Sequence, residues 1–360
     1  MHVAASHPGS PVPAVATGSA SGGRPRLLLH LGTHKTGTTA LQFFLQQQRE
    51  TLRKQGILYP MVGGDDLAHL SLQKAVGRAN RQGDTHSLKT YLRQLQQLID
   101  ETAPSLVVLS SEHFFAMPQE WVKTLLHAVE PLFAAVTVVL YVRPQRELWT
   151  AIYNQKAKAL KVLPSHALWG TTDYLGVNRV SNMFYADYLD CFARLIGREH
   201  VIVRPYRRSL FPEGDIVHDF CSLLGAHPPV RDSRPAEPIN PSLGWKGLAF
   251  ALQLAPQHFN RDSRQPVAQA MRLGFLRATR AGLSNWIGPA PNYLDAEEQR
   301  RVDHAYAVNN ARLLAEYPSA STAFPRDSAL PVTREQFADI APEELTAVTA
   351  FIQEALEGCA

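Results

Sequence analysis

The sequence predicts an α/β fold: a three-layer arrangement with a central parallel sheet, extended by a helical C-terminal region. Two observations carry this expectation. The runs Leu27-Leu28-Leu29-His30-Leu31, Ser105-Leu106-Val107-Val108-Leu109-Ser110 and 136–142 are short and continuously apolar rather than alternating, as strands buried on both faces are. The stretches between them have helical periodicity and are long enough to cross over, so strand and helix alternate along the chain.

Taken in order, residues 1–24 are rich in Ala, Gly, Ser and Pro. They lack the basic start and apolar stretch of a signal peptide and read as a disordered leader. An α/β core is expected over 25–227. Its first strand ends at Gly32, and a helix should start near Gly37 and run through Leu41, Phe44, Leu45 and Leu52 to Gly56, which suits a C-terminal stop. Helical patterns at 67–79 and 86–102 precede the second strand. A helix over 118–132, the third strand and a helix over 145–160 follow. Residues 161–181 have weak periodicity, contain Pro164, Gly170 and Gly176, and read as a long loop over the site. A helix over 182–196, the short strand Val201-Ile202-Val203 and a helix near 215–224 complete the core. A Pro-rich linker is expected over 228–241, then a mostly helical region, 242–360, packed on the core. No internal repeat is visible.

Composition narrows the function classes. The chain has 360 residues, of which 45% are hydrophobic and 19% charged, with a formal charge of +4. That balance favours anionic ligands slightly, but the scattered Lys and Arg do not make a nucleic-acid-binding surface. The best apolar run, 134–142, is far shorter than the roughly 20 residues that cross a bilayer, so no membrane insertion is expected. Cys191, Cys221 and Cys359 have no metal-type spacing, which suits reduced thiols and a cytoplasmic location. No cluster of metal-ligating residues is apparent, and no metal is expected.

A strand ending at Gly32, a loop containing Lys35 and a helix opening at Gly37-Thr38-Thr39 form a candidate anion cradle. Helix N-terminal N–H groups and the helix dipole favour a bound phosphate, glycines allow close backbone approach, Lys35 adds charge and the threonines add hydroxyl donors. The plain alternative is an ordinary strand-to-helix turn. A nucleoside-triphosphate loop reads G-x-x-x-x-G-K-[ST], whereas Lys35 here precedes Gly37, so that match fails at its most informative position.

The segment His30-Leu31-Gly32-Thr33-His34-Lys35-Thr36-Gly37-Thr38-Thr39-Ala40-Leu41-Gln42 resembles the 5′-phosphosulfate loop of the sulfotransferases, especially bacterial sulfotransferase-like proteins and the heparan sulfate group. The likeness continues more weakly from about residue 26 to 225. It implies an enzyme that uses 3′-phosphoadenosine-5′-phosphosulfate as co-substrate and a saccharide, glycolipid or small-molecule acceptor. It implies that Lys35 touches the oxygen bridging phosphorus and sulfur. Thr38 and Thr39, with the backbone around Gly32, Thr33, His34, Thr36 and Gly37, would hold the 5′-phosphate.

Ligands of open parallel sheets lie beyond the carboxyl ends of the strands. At the second such end stands Ser110-Ser111-Glu112-His113-Phe114-Phe115. Alone, Glu112 reads equally as a capping or surface carboxylate; the resemblance implies that it is the general base, with His113 as second candidate. At the third end, Arg143 leaves the strand ahead of Pro144 and is placed to grip a phosphate, unless it forms a surface ion pair. The resemblance implies a 3′-phosphate site made of Arg143 and a Ser eight residues on, but Ala151 stands there, and Thr150 should point elsewhere. Tyr153 and Gln155 continue the likeness, and Tyr153 is expected at the nucleotide. So is Arg207, in a segment from Val203 to Leu210 that also resembles the bacterial relatives. Lys156, Lys158 and Lys161 read as a solvated helix face, or as contacts to an acidic or sugar substrate. Asn240-Pro241-Ser242-Leu243 recurs in the relatives without an assignable role. Two other classes remain open: a binding protein without chemistry, and a nucleotide-dependent kinase.

Overall fold

The computed structural model describes residues 23–33, 35–64, 67–115, 117–161, 183–228, 241–258, 261–288, 290, 294, 296–324 and 340–358. The expected leader, nearly all of the expected loop at 161–181, most of the Pro-rich linker, His34 and Cys359 lie outside the described residues.

Five strands form one all-parallel sheet: β1 (Arg26–Leu31), β2 (Ile57–Leu58), β3 (Leu106–Ser111), β4 (Ala135–Val142) and β5 (Val201–Pro205). Their order is β2-β3-β1-β4-β5. The helices of the sheet-bearing part are α1 (Thr38–Gln47), α2 (Arg49–Lys54), α3 (Leu70–Gln82), α4 (His86–Thr102), α5 (Glu112–Phe115) and α6 (Gln119–Val129). After β4 come α7 (Gln145–Lys158), α8 (Tyr185–Ile196) and α9 (Ile216–Leu224). The helix expected from Gly37 to Gly56 is two helices, broken at Gln48. Neither Gly nor Pro marks that break.

β2 escapes periodicity because two residues make no pattern. Where it ends, His69 takes over the edge of β3. The Ser110 N–H donates to His69 Nδ1 at 3.0 Å, and the His69 N–H donates to the Ser110 carbonyl at 3.0 Å. With Nδ1 accepting, the ring proton sits on Nε2, which donates to the Pro60 carbonyl at 2.9 Å.

Layering follows from connection handedness. From β1 the chain crosses through α1 and α2 toward β2, and from β3 it crosses the other way, through α5 and α6, to β4. Right-handed crossovers in opposite directions put those helices on opposite faces. On one face Leu28, Val108, Val139 and Tyr141 meet Leu41 and Leu45 of α1 and Phe220 and Leu224 of α9. On the other, Leu27, Leu29, Val107, Leu109, Val138 and Leu140 are fully buried as well. Burial on both faces is why these strands read as continuous apolar runs. β1 connects toward one edge of the sheet and its neighbour β4 toward the other, so the carboxyl ends of these two strands flank a topological switch point.

The chain divides into two compact units, Met1–Val142 with Leu189–Arg234 and Arg143–Tyr188 with Pro235–Ala360. The sheet lies in the first. The second contains α7 and four C-terminal helices, α10 (Trp245–His258), α11 (Arg264–Arg280), α12 (Ala296–Glu316) and α13 (Pro342–Glu357). There α11 meets α13 closely: a Cβ on Gly274 would fall 2.5 Å from Ile352 Cγ1. Among the described residues, Cys191 and Cys221 are free thiols, and no helix is long and apolar enough to cross a membrane.

Polar side chains fasten α7 within the second unit. Gln145 and Asn310 exchange two amide hydrogen bonds at 2.9 Å. Asn154 donates to the Leu243 carbonyl at 2.8 Å and accepts from the Leu243 N–H at 3.0 Å, as a strand neighbour would. Lys158, expected on a solvated face, is only 7% exposed and donates to the Pro241 carbonyl at 2.8 Å. The segment that begins at Pro241 thus gains a structural role that its sequence did not announce. Removing the Asn154 amide strands a buried N–H and a buried carbonyl. Asn154→Ala should therefore lower the unfolding free energy by ~1–3 kcal/mol, while the exposed Lys161→Ala changes it by less than ~0.5 kcal/mol, as read by denaturant unfolding.

Candidate functional site

The chain leaves β1 at Gly32, whose N–H donates to the Ser111 carbonyl at 3.0 Å. A Cβ at Gly32 would lie 2.8 Å from Glu112 Cα, 2.9 Å from Glu112 N and 2.6 Å from Thr38 Cγ2. Two of those atoms are backbone and cannot swing aside, so only glycine fits. Thr33 then ties the loop to the other neighbouring strand, its hydroxyl donating to the Tyr141 carbonyl at 2.9 Å. The Thr33 carbonyl in turn accepts from the Thr36 N–H at 3.3 Å, the Thr36 hydroxyl at 2.7 Å and the Thr38 hydroxyl at 3.3 Å. The loop is therefore a tight turn closed on one carbonyl.

Lys35 has φ 62° and Gly37 has φ 74°. The left-handed region is free for glycine but costs a lysine about 1–2 kcal/mol, and strain of this kind gathers at functional sites. A Cβ on Gly37 would come within 3.1 Å of Ile216 and 3.3 Å of Tyr206, so α9 and the end of β5 enclose the turn. α1 opens at Thr38 with no side-chain cap and no acidic residue in its first turn. Nothing in that turn offsets the positive end of the helix dipole.

The expected hydroxyl donors behave differently from one another. Thr33, Thr36 and Thr38 are buried and spend their protons on backbone carbonyls, Thr33 on that of Tyr141 and the other two on that of Thr33, while Thr39 is exposed. An anion at this turn would thus meet backbone N–H groups, Lys35 and Thr39 before it met the other three hydroxyls.

Glu112 opens the single turn α5, and burial of Phe114 and Phe115 sends the first two residues of that turn outward. The Glu112 side chain is 48% exposed and that of His113 is 45% exposed. Their closest approach, 3.9 Å from Oε1 to Nε2, is too long for a hydrogen bond. The close approach of Gly32 to the Glu112 backbone brings this residue beside the turn after β1.

Two buried polar groups beneath the loop were not singled out from the sequence. Tyr141 donates its hydroxyl to Asp219 at 2.7 Å, and Arg204 pairs with both oxygens of the same carboxylate. Burial first, and then the Asp219 charge, raise the Tyr141 pKa well above its ordinary value. His30 is fully buried and bonds through Nδ1 to the Ser110 hydroxyl at 2.8 Å. A lone His within a Leu run, and a Ser ending a Val-Leu run, were the available signals.

Arg207 is partly exposed in the turn after β5, adjacent in sequence to the Tyr206 that closes on Gly37. Arg143 and Tyr153 belong to the second unit. There the partly buried Arg143 pairs with Glu147, one helical turn on, at 3.0 Å. Tyr153, expected at the nucleotide, is 3% exposed and is a core residue of α7. The Thr150 hydroxyl donates to the Arg146 carbonyl at 3.1 Å, and Ala151 is partly exposed.

Burial also pushes the His30 imidazole down to about 3. In the unfolded chain this group takes up a proton near 6.5, so between pH 6.5 and about 3 the unfolded state binds more protons than the folded one. His30 therefore contributes stability that is full above pH 6.5 and is lost as pH falls through that window, with a slope of up to ~1.4 kcal/mol per pH unit. Denaturant unfolding at a series of acid pH values should show a shallower decline in His30→Leu than in the wild type.

No protein-family model and no curated protein matches the chain, so the chemistry of the site has to be read from its own residues.

Proposed function

We propose that the chain is a sulfotransferase, moving a sulfuryl group from 3′-phosphoadenosine-5′-phosphosulfate to a hydroxyl or amine of a saccharide or glycolipid. The observation that carries this reading is the packing of Gly32 against the Glu112 backbone, which sets an exposed carboxylate beside a strained, lysine-bearing turn at a helix N-terminus. The residues suit the donor: backbone N–H groups and the uncapped end of α1 for the 5′-phosphate, and Lys35 for the bridging oxygen. The resemblance of 30–42 to the phosphosulfate loop of that family supports the same assignment. Free thiols at Cys191 and Cys221 suit a cytoplasmic setting.

In the proposed step Glu112 takes the proton of the acceptor group, whose oxygen or nitrogen forms the new bond to sulfur. The bond from sulfur to the bridging oxygen breaks, and its electron pair stays on the departing phosphate. Lys35 and the N-terminus of α1 stabilise that charge, with positioning and electrostatics doing the catalysis as in phosphoryl transfer. A sulfuryl group carries less negative charge than a phosphoryl group, so the proposed step calls on Lys35 and the helix end rather than on a metal.

A binding protein without turnover is the second reading. It is favoured by Ala151, where the family likeness calls for a hydroxyl, and by the inward hydroxyls of Thr33, Thr36 and Thr38.

Calorimetric titration with 3′-phosphoadenosine 5′-phosphate should show binding, and ATP with Mg²⁺ should bind more weakly; the reverse order would point to a kinase. Lys35→Ala should lose most sulfuryl transfer from the labelled donor to a panel of saccharide acceptors. Normal turnover in that variant would remove the loop from the mechanism. Glu112→Gln should bind the nucleotide normally yet lower kcat by roughly 10²–10⁴, with a smaller loss in His113→Ala. If nucleotide binds but no acceptor is ever sulfated, the second reading stands.

A further inference from the structure

On the face of the sheet covered by α1 and α9, fully buried polar side chains gather at the level just below the loop. Leu28, Val108 and Val139 are followed, one step nearer the carboxyl ends, by His30, Ser110 and Tyr141. His30 and Ser110 are register partners on β1 and β3, and both are fully buried. The Ser110 hydroxyl meets His30 Nδ1 at 2.8 Å and also accepts from Gln42 Nε2 of α1 at 3.3 Å. The Tyr141 and Phe220 rings flank the imidazole at centroid distances of 6.1 and 5.4 Å. Its Nε2 has no partner among the described residues.

The placement of these three side chains is more specific than their burial. His30 stands two residues before Gly32, Ser110 two residues before Glu112, and Gln42 one helical turn after Thr38. Each lies directly behind one part of the proposed site. An apolar trio would fill the same space without desolvating five or so polar atoms. Buried hydrogen bonds add little net stability, but they are directional and hold groups in one arrangement. An imidazole with one unsatisfied nitrogen is a cost to folding, so its value lies in the bond that it makes.

We propose that His30, Ser110 and Gln42 form a positioning cluster that locks the ends of β1 and β3 and the start of α1 in one register, and so fixes the separation between the anion loop and Glu112. None of the three touches substrate. His30 stays neutral in its buried place, so it adds no charge to the field at the loop. The kinetic part of the test rests on the sulfotransferase reading; the exchange part does not.

The full chain carrying His30→Leu, Ser110→Ala or His30→Asn would be compared with wild type. Asn places an amide atom where Nδ1 stands and can restore the bond to Ser110; Ser110→Ala keeps the volume and carries the test if His30→Leu does not fold. In hydrogen–deuterium exchange, His30→Leu and Ser110→Ala should each speed exchange at 35–41 and 111–115 together by about tenfold or more, leave α11 and α13 unchanged, and be matched by near-wild-type exchange in His30→Asn. With the labelled donor, kcat should fall about tenfold or more while the donor KM stays within about threefold, and His30→Asn should recover it. Unchanged exchange in both segments overturns the proposal. So does a general acceleration of exchange with a lowered Tm in all three variants, because the cluster is then packing and nothing more. If the wild type neither binds 3′-phosphoadenosine 5′-phosphate nor transfers sulfate, the functional reading fails, and the exchange result still decides whether the cluster positions the loop.

Discussion

The architecture of the site hangs on an absent side chain. Because Gly32 has no Cβ, the end of β1 can lie against the backbone of Glu112 and under Thr38 at distances that any other residue would forbid. Three parts of the molecule converge on that point: the strand that feeds the loop, the strand that delivers the carboxylate, and the helix whose N-terminus faces the turn. The register of β1 on β3 and the hydroxyl of Thr33 on β4 then hold the turn from both sides. A parallel sheet buried on both faces supplies the stiffness, since any sideways slip of β1 would expose Leu27 and Leu29 or strand them against the wrong neighbours.

Much of this was legible in the sequence because burial leaves a simple trace. β1, β3, β4 and β5 announce themselves as apolar runs, and the turn from β1 into α1 as two glycines and a lysine between a strand and a helix. What stayed hidden was whatever depends on pairing rather than pattern. β2 is too short to have a period, and its edge is finished by His69, whose part is visible only once it faces Ser110. Lys158 looks like any helix lysine until the Pro241 carbonyl is placed against it. The threonines of the loop share a residue type but divide between inward bonds and solvent, a difference set by the turn and not by composition.

The polar groups beneath the sheet's carboxyl end form a second pattern. Asp219 gathers Tyr141 of β4 and Arg204 of β5, while Ser110 gathers His30 of β1 and Gln42 of α1. Between them they tie four adjacent strands, β3, β1, β4 and β5, to α1 and α9 at the level where the chain turns out of the sheet. Deeper levels of the sheet are mostly hydrocarbon, which tolerates small adjustments of side-chain packing. Hydrogen-bonded groups tolerate less, and they lie where the turn after β1 and the start of α5 meet.

The fastening of α7 bears on how the chain is made. Gln145, Asn154 and Lys158 emerge from the ribosome well ahead of Asn310, Leu243 and Pro241, the groups that satisfy them. Until the last third of the chain is synthesised, the Asn154 amide and the Lys158 ammonium lack these carbonyl and N–H partners, and Gln145 has only the Met183 carbonyl of its described set. The sheet-bearing unit meets the same delay, for β5 and α9 follow the α7 segment in sequence yet belong with strands made before it. A nascent chain of this kind holds unfinished surfaces in both halves at once, and contacts this distant in sequence form slowly. Demand on chaperones during synthesis is therefore written into the order of the segments, independently of how stable the finished protein is.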